Sequence, residues 1–555
     1  MKIGLFLAYR PNTPFSNQGL GRLMAELLRG FSQTCGEPVT VVCPSWLASD
    51  VQKLTSRLPE GSVHIVSPAR IPVIVRIHQV LFRQRTQPKK GLLGQLLHRS
   101  RKAVSSGAGT AFRAVMATLS TRSVLIFFVG VLSLAIVAAA ATIALAPVFL
   151  IGLLVVAVLY GIPRLERQVK MFRKLASVRR GAVNFASRAL GDRPSLLVAI
   201  YNTVHRKEVS NMLSIIDGLS DIDIWYSPTI FWPEFNQIKK PTVQCYPDMV
   251  LGEFPTRFAF GSRTDRLDAV FDQALSAIQS GKYFITYSST TAGPSLHDRF
   301  GVPRDSIITI PHAAMDLSGN VLVHGTPDAK AATDKFARVK LTEFQRARWN
   351  DDRYLHDFDF TDCQYLFYAS QFRPNKNILN LLKAYEIVLR RKFYQCKLIL
   401  TGHLDYAPEV RKFLEERRLG YDVILAQDVS DQMLAALYRG AALAVNPTLY
   451  EGGFPFTFTE AMSVGTPVIM SRIPQTEEFI KEELADQMLF DPLSPEEIAE
   501  KIVFGLNHRS ELYDLQFPLY ELLRERTWRD VAREHVVAFE KILADHNSRP
   551  RRTME

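Results

Sequence analysis

Cysteine is scarce and unpatterned: five residues, Cys35, Cys43, Cys245, Cys363 and Cys396, stand far apart in a 555-residue chain, with no metal or redox spacing among them. A thiolate metal site and a disulfide framework find no support in that pattern, and a reducing compartment is expected. A secretory signal is not expected either. Lys2 is followed by only seven apolar or small residues, Ile3 to Tyr9, before Arg10-Pro11, which reads as a first strand. Internal repeats, long low-complexity tracts and nucleic-acid motifs are absent by inspection. The net charge of +12 is concentrated beside one apolar segment rather than along an aromatic-studded groove, so no nucleic-acid partner is expected.

Charge itself is missing from Val124 to about Ile162, a run of Leu, Ile, Val, Phe, Ala and Gly interrupted by little more than Ser133, Thr142 and Pro147. As one helix it would extend roughly 58 Å, nearly twice a hydrocarbon core of about 30 Å. It must therefore fold back, and Ala146-Pro147 offers the break. Arg99, Arg101, Lys102, Arg113 and Arg122 precede the run, and Arg164, Arg167, Lys170, Arg173, Lys174, Arg179 and Arg180 follow it. Basic flanks on both sides place both ends on the cytoplasmic face. A re-entrant hairpin, two full spans and a buried helix pair all remain open. Leu165, Val169, Phe172 and Leu175 recur at helical spacing opposite Arg167, Lys170 and Lys174, a pattern that lies on anionic lipid or forms an ordinary solvated helix.

On either side of that insert the chain reads as α/β. Strand Lys2 to Tyr9 leads through Gly19-Leu20-Gly21-Arg22 into a helix reaching about Phe31, then a strand Val39 to Cys43. A glycine-rich strand-to-helix turn lets backbone approach a ligand, and it also serves as a plain turn. Ser195 to Tyr201, Ile222 to Tyr226, Thr242 to Cys245 and Tyr283 to Tyr287 are expected strands. Residues 326–361, rich in Lys, Arg and Asp, read as a linker with an added helix.

The most informative stretch is Asn446-Pro447-Thr448-Leu449-Tyr450-Glu451-Gly452-Gly453-Phe454-Pro455, followed by Glu460-Ala461-Met462-Ser463-Val464-Gly465-Thr466-Pro467. An acid at a strand end, a Gly-Gly-Phe-Pro turn and a second acid in a small-residue helix put two carboxylates and free N–H groups at one crevice, suited to a phosphate and a polyhydroxylated ring. Phe367 to Asn377, including Arg373-Pro374-Asn375-Lys376, then Leu398 to Gly402 and Val429 to Tyr438, precede it in order. Together these segments resemble the donor site of family 4 glycosyltransferases, retaining enzymes of the GT-B fold.

The resemblance implies two Rossmann-like domains facing a cleft, with the membrane hairpin inserted in the first. The expected division is 1–80 and 195–325 for the N-terminal acceptor domain, 81–194 for the insert, 362–515 for the nucleotide-sugar domain, and 516–555 for a helix, around Trp528 to Leu543, returning to the first domain. Arg373 and Lys376 would hold the departing diphosphate. Glu460 would accept from ribose hydroxyls, and Glu451 would face the transferred sugar or sit as a turn acid. Eight residues separate the two acids where the family usually has seven. Either the turn bulges, or the N–H groups of Gly453 and Phe454 replace Glu451. Gly402, Gly19 and Gly21 would line the donor phosphate side. Proline stands where relatives carry a histidine before Asp248, leaving Asp248 to orient an acceptor hydroxyl or to cap a helix.

The expected function is transfer of a sugar from a nucleotide sugar to a polyprenyl-diphosphate-linked glycan, with retention and without metal or other cofactor. The catalytic domains would lie at the cytoplasmic face, against anionic lipid and beside other glycan-assembly enzymes. Two other readings stay open: a glycolipid synthase acting on diacylglycerol, and a non-catalytic nucleotide-binding scaffold.

Overall fold

The computed structural model describes residues 1–76 apart from 12, 14 and 16–18, then 196–253, 264–348, 358–360 and 363–548, together with Ser133 and Tyr354. The apolar run 124–162 and its basic flanks lie outside these residues. Among the described residues no helix is long and apolar enough to cross a membrane.

Two parallel sheets organise the chain. The first is built from β1 (Ile3–Phe6), β2 (Val39–Val42), β3 (Val63–Val66), β4 (Ile224–Ser227), β5 (Thr242–Cys245), β6 (Tyr283–Thr286) and β7 (Ile307–Thr309), in the order β3-β2-β1-β4-β5-β6-β7. The second contains β8 (Gln364–Tyr368), β9 (Cys396–Leu400), β10 (Val423–Leu425), β11 (Leu443–Asn446), β12 (Val468–Ser471) and β13 (Leu489–Phe490), in the order β10-β9-β8-β11-β12-β13. Each sheet therefore reverses direction beside its first strand, between β1 and β4 and between β8 and β11. In doubly wound sheets the ligand crevice opens at that switch point, beyond the carboxyl ends of the strands. The strands are short, and those inside the sheets are largely buried on both faces, as a helix-covered parallel sheet requires.

One expected strand is a helix. Ser195 to Tyr201 belongs to Leu196–Gly218, where buried Val204, Glu208, Val209, Met212 and Ile216 repeat at helical spacing. The apolar start Leu196 to Ile200 carried no period of its own, and a short apolar run does not distinguish strand from buried helix. β3 was not anticipated; it is an edge strand, only half-buried.

The added helix in the expected linker is α1 in the numbering used here for helices near the site (Ala329–Arg348). Its Ala337 and Leu341 pack in the core of the second domain, and Arg439 Nε meets Asp334 Oδ1 at 2.8 Å. The returning helix, α2 (Trp528–Ser548), buries Val531, Ala532, Ala538, Phe539 and Ile542 in the first domain's core. It crosses the N-terminal helix Gly19–Thr34 so closely that a Cβ on Gly30 would lie 2.1 Å from Trp528 O. Buried His535 sits at this crossing, edge-on to Phe31, Tyr226 and Phe539.

Candidate functional site

The loops following β8 and β11 flank the switch point of the second sheet, and they are stitched to one another. Asn377, left-handed at φ 56°, donates through Nδ2 to Pro447 O at 3.0 Å and Pro492 O at 2.7 Å. Asn375 O accepts from Leu449 N at 2.7 Å and from Thr448 Oγ1 at 3.2 Å. This frame brings Lys376 and Glu451 together as an ion pair, Nζ to Oε1 at 2.5 Å, with both side chains about four-fifths buried. Arg373 stays exposed, its Nε donating to Gln371 Oε1 at 3.0 Å. Gly402 lies beneath the Phe372 ring, where a Cβ would meet Phe372 Cδ1 at 2.0 Å. Its smallness seats the loop that carries Arg373.

Glu460 is 5% exposed on the helix Phe456–Ser463 and is fully engaged. Arg22 of the first domain donates from Nη1 to Glu460 Oε1 at 2.7 Å, and the buried Tyr438 hydroxyl donates to Oε2 at 3.2 Å. Arg22 Nε also lies 3.4 Å from Asp431 Oδ1. The glycines preceding Arg22 differ: Gly19 is exposed with open space around it, and Gly21 is buried. Sequence reasoning did not single out Arg22, Tyr438 or Asp431; the one available signal was a cation directly after the glycine-rich turn.

Between the two acids a turn at Gly452-Gly453 reaches across the cleft. Gly452 O accepts from Ser288 Oγ at 3.0 Å and from Thr291 Oγ1 at 2.8 Å. A Cβ on Gly452 would lie 1.6 Å from Pro247 O, and one on Gly453 would lie 2.8 Å from Tyr287 Cβ. Phe454 turns inward, against Phe458 and Phe479. Nearby, Glu478 accepts from Ser289 N at 3.2 Å and Thr290 Oγ1 at 3.3 Å. The turn at Gly452-Gly453 thus makes an interdomain contact, and Glu451 pairs with Lys376.

Asp248, just beyond β5, comes opposite these groups. Burial raises its carboxyl above the usual range, the charges of Arg373 and Lys376 pull it back down, and Glu451 adds to the rise. His312 lies under Phe456, ring centroids 4.0 Å apart. Burial pushes its imidazole down to about 4, against hydrogen bonds to the backbone of Ala313 and Phe454. It lines a small apolar pocket with Tyr287, Pro311, Phe454 and Phe479.

Residues 358–514 match the family described as Glycosyl transferases group 1. The chain is similar to O-antigen chain mannosyltransferase B of Escherichia coli, 36% identical over 118 residues, which is 21% of this chain and 30% of that protein. It is similar also to lipopolysaccharide 1,2-N-acetylglucosaminetransferase of Salmonella typhimurium (strain LT2), 26% identical over 178 residues, 31% of this chain and 46% of that protein. The matches span 30% to 46% of the length of the curated relatives. Among solved structures, the N-terminal domain of Candida albicans trehalose-6-phosphate phosphatase superposes over 97% of this chain and 96% of its own at 12% identity, with a TM-score of 0.50. That likeness concerns the fold alone.

Proposed function

We propose that this chain is a retaining glycosyltransferase that moves a sugar from a nucleotide-sugar donor to a lipid-linked glycan at the cytoplasmic face of a membrane. The observation that carries the reading is the junction at the second switch point. Arg373, the Lys376–Glu451 pair and, from across the cleft, Asp248 converge there, within the segment that matches the group 1 glycosyl transferases. The acceptor class is supported by the printed names of two relatives, an O-antigen chain mannosyltransferase and a lipopolysaccharide N-acetylglucosaminetransferase. Membrane attachment is supported by the charge-free run 124–162 with basic flanks.

In this reading the bond between the anomeric carbon and the donor's diphosphate oxygen breaks while Arg373 and Lys376 neutralise the charge that develops on the diphosphate. The guanidinium binds two oxygens and the ammonium acts as a point charge. Because Lys376 is paired with Glu451, the incoming diphosphate shares that cation with the carboxylate. Glu451 then faces the sugar ring. The acceptor hydroxyl forms its new bond on the face the diphosphate leaves, and its proton passes to a diphosphate oxygen. Asp248 orients that hydroxyl. Fixed cations perform the charge stabilisation, so no metal is invoked.

The test is detergent-solubilised protein with labelled nucleotide sugars and a native lipid extract. A lipid-extractable product whose new linkage keeps the donor's anomeric configuration, by nuclear magnetic resonance, is expected. An inverted linkage, or label that never reaches lipid, contradicts the reading.

A further inference from the structure

We infer that Arg22 holds the Glu460 oxygen that the ribose of a donor would take, and that donor binding exchanges its guanidinium for the vicinal diol of a ribonucleotide. This rests on the proposed sugar-nucleotide reading and assigns Arg22 a positioning role within it. Glu460, the acid that would receive the diol, has both oxygens taken, Oε1 by Arg22 and Oε2 by Tyr438. A diol cannot settle on a 5%-exposed carboxylate without displacing one of them or sharing an oxygen.

The two partners are not equally replaceable. Tyr438 is buried in the core of the second domain on the helix Asp431–Gly440, and its departure would strand a hydroxyl in an apolar interior. Arg22 comes from the opposite domain, and its side chain is 24% exposed. It already has a second carboxylate within reach, Asp431 at 3.4 Å and 57% exposed. On leaving Glu460 the guanidinium is therefore neither unpaired nor dry, and the severe penalty of breaking a buried charge pair is avoided. Arg22 stands in the first turn of the helix Gly19–Thr34, on the first domain.

The exchange predicts opposite effects from two substitutions. ADP, CDP, GDP and UDP are titrated calorimetrically into the full-length wild-type protein, and the tightest of the four is carried to the variants. Arg22→Ala removes the competitor and should bind that nucleotide about tenfold more tightly, in the ordinary range of such couplings. Arg22→Lys, which keeps a cation beside Glu460, should return affinity toward wild type. Asp431→Asn removes the landing place for the displaced guanidinium and should weaken binding several-fold. Affinity unchanged or reduced in Arg22→Ala overturns the exchange; a reduction would mean that Arg22 touches the donor itself. If Arg22→Ala fails to fold, Asp431→Asn at its exposed position decides the matter, since unchanged affinity there overturns the exchange as well. Absence of binding by all four nucleotides to wild type and variants alike removes the donor reading, and this inference with it.

Discussion

Glu451, Glu460 and Asp248 face the interdomain cleft beside Asp431 and Glu478, and their neighbours separate the roles of the first three. Glu451 is held by Lys376 and Glu460 by Arg22, whereas Asp248 is raised by burial and only partly relieved by Arg373 and Lys376. Lys376→Ala should lower transfer by about 10²–10³-fold, the usual loss for one fixed group stabilising developing charge, with the melting temperature changed by only a few degrees; the assay is initial rate beside a thermal scan. Asp248 gives a signed stability prediction. A carboxyl with a raised folded-state pKa favours the proton in the fold, so its ionised form lowers stability once the pH exceeds the unfolded value. Asp248→Asn should therefore raise the melting temperature at neutral pH, and the gain should fade as the pH falls into the carboxylate range. An equal gain at both pH values would point to packing instead of charge. Arg373, Lys376, Glu451 and Asp248 could be picked out as candidates in the sequence because each follows a strand with a recognisable neighbour. Their pairing with one another was not, since it depends on how Asn375 and Asn377 tie two distant loops together.

At the scale of elements, two glycines decide how closely the pieces approach. Gly30 lets the N-terminal helix touch α2, and alanine there should cost about 1–3 kcal/mol by overpacking, read from chemical denaturation. Gly452 meets Pro247 O across the cleft, so Gly452→Ala should spring the Ser288 and Thr291 contacts and impair transfer more than folding. Equal loss of both would contradict that division. Most strands could be read from their β-branched runs between turns, and Thr242–Cys245 coincides with its expected bounds. The helix Leu196–Gly218 could not, because its first five residues are apolar without period and the burial pattern that identifies it begins only at Val204. The one-residue-longer acid spacing was visible in the sequence, but the interdomain contact of Gly452 was not, since it depends on Ser288 and Thr291, far away along the chain.

Over the whole molecule, the two domains meet through polar contacts such as Arg22–Glu460 and through an apolar pocket lined from both sides, so acid should act on both at once. His312 lies at the domain boundary and His535 on the buried face of α2, and burial pushes each imidazole down to about 4. The unfolded chain takes up protons near pH 6.5 and the fold only near 4, so stability is full above 6.5 and is lost as the pH falls through that window. Each residue accounts for on the order of 3 kcal/mol at the low end. His535→Met, which keeps the packing against Phe31 and Phe539, should flatten about half of that slope in denaturation curves measured from pH 7 to pH 4. A slope unaltered by the change would place the acid lability elsewhere.

The central claim concerns the cleft between the two sheets, and nucleotide release tests it most directly. Wild-type protein and Lys376→Ala are incubated side by side with ADP-, CDP-, GDP- and UDP-sugars in the presence of lipid extract. Release from one donor, dependent on the lipid and abolished in Lys376→Ala, is the predicted result; release that survives Lys376→Ala, or none from any donor despite measurable nucleotide binding, would contradict it.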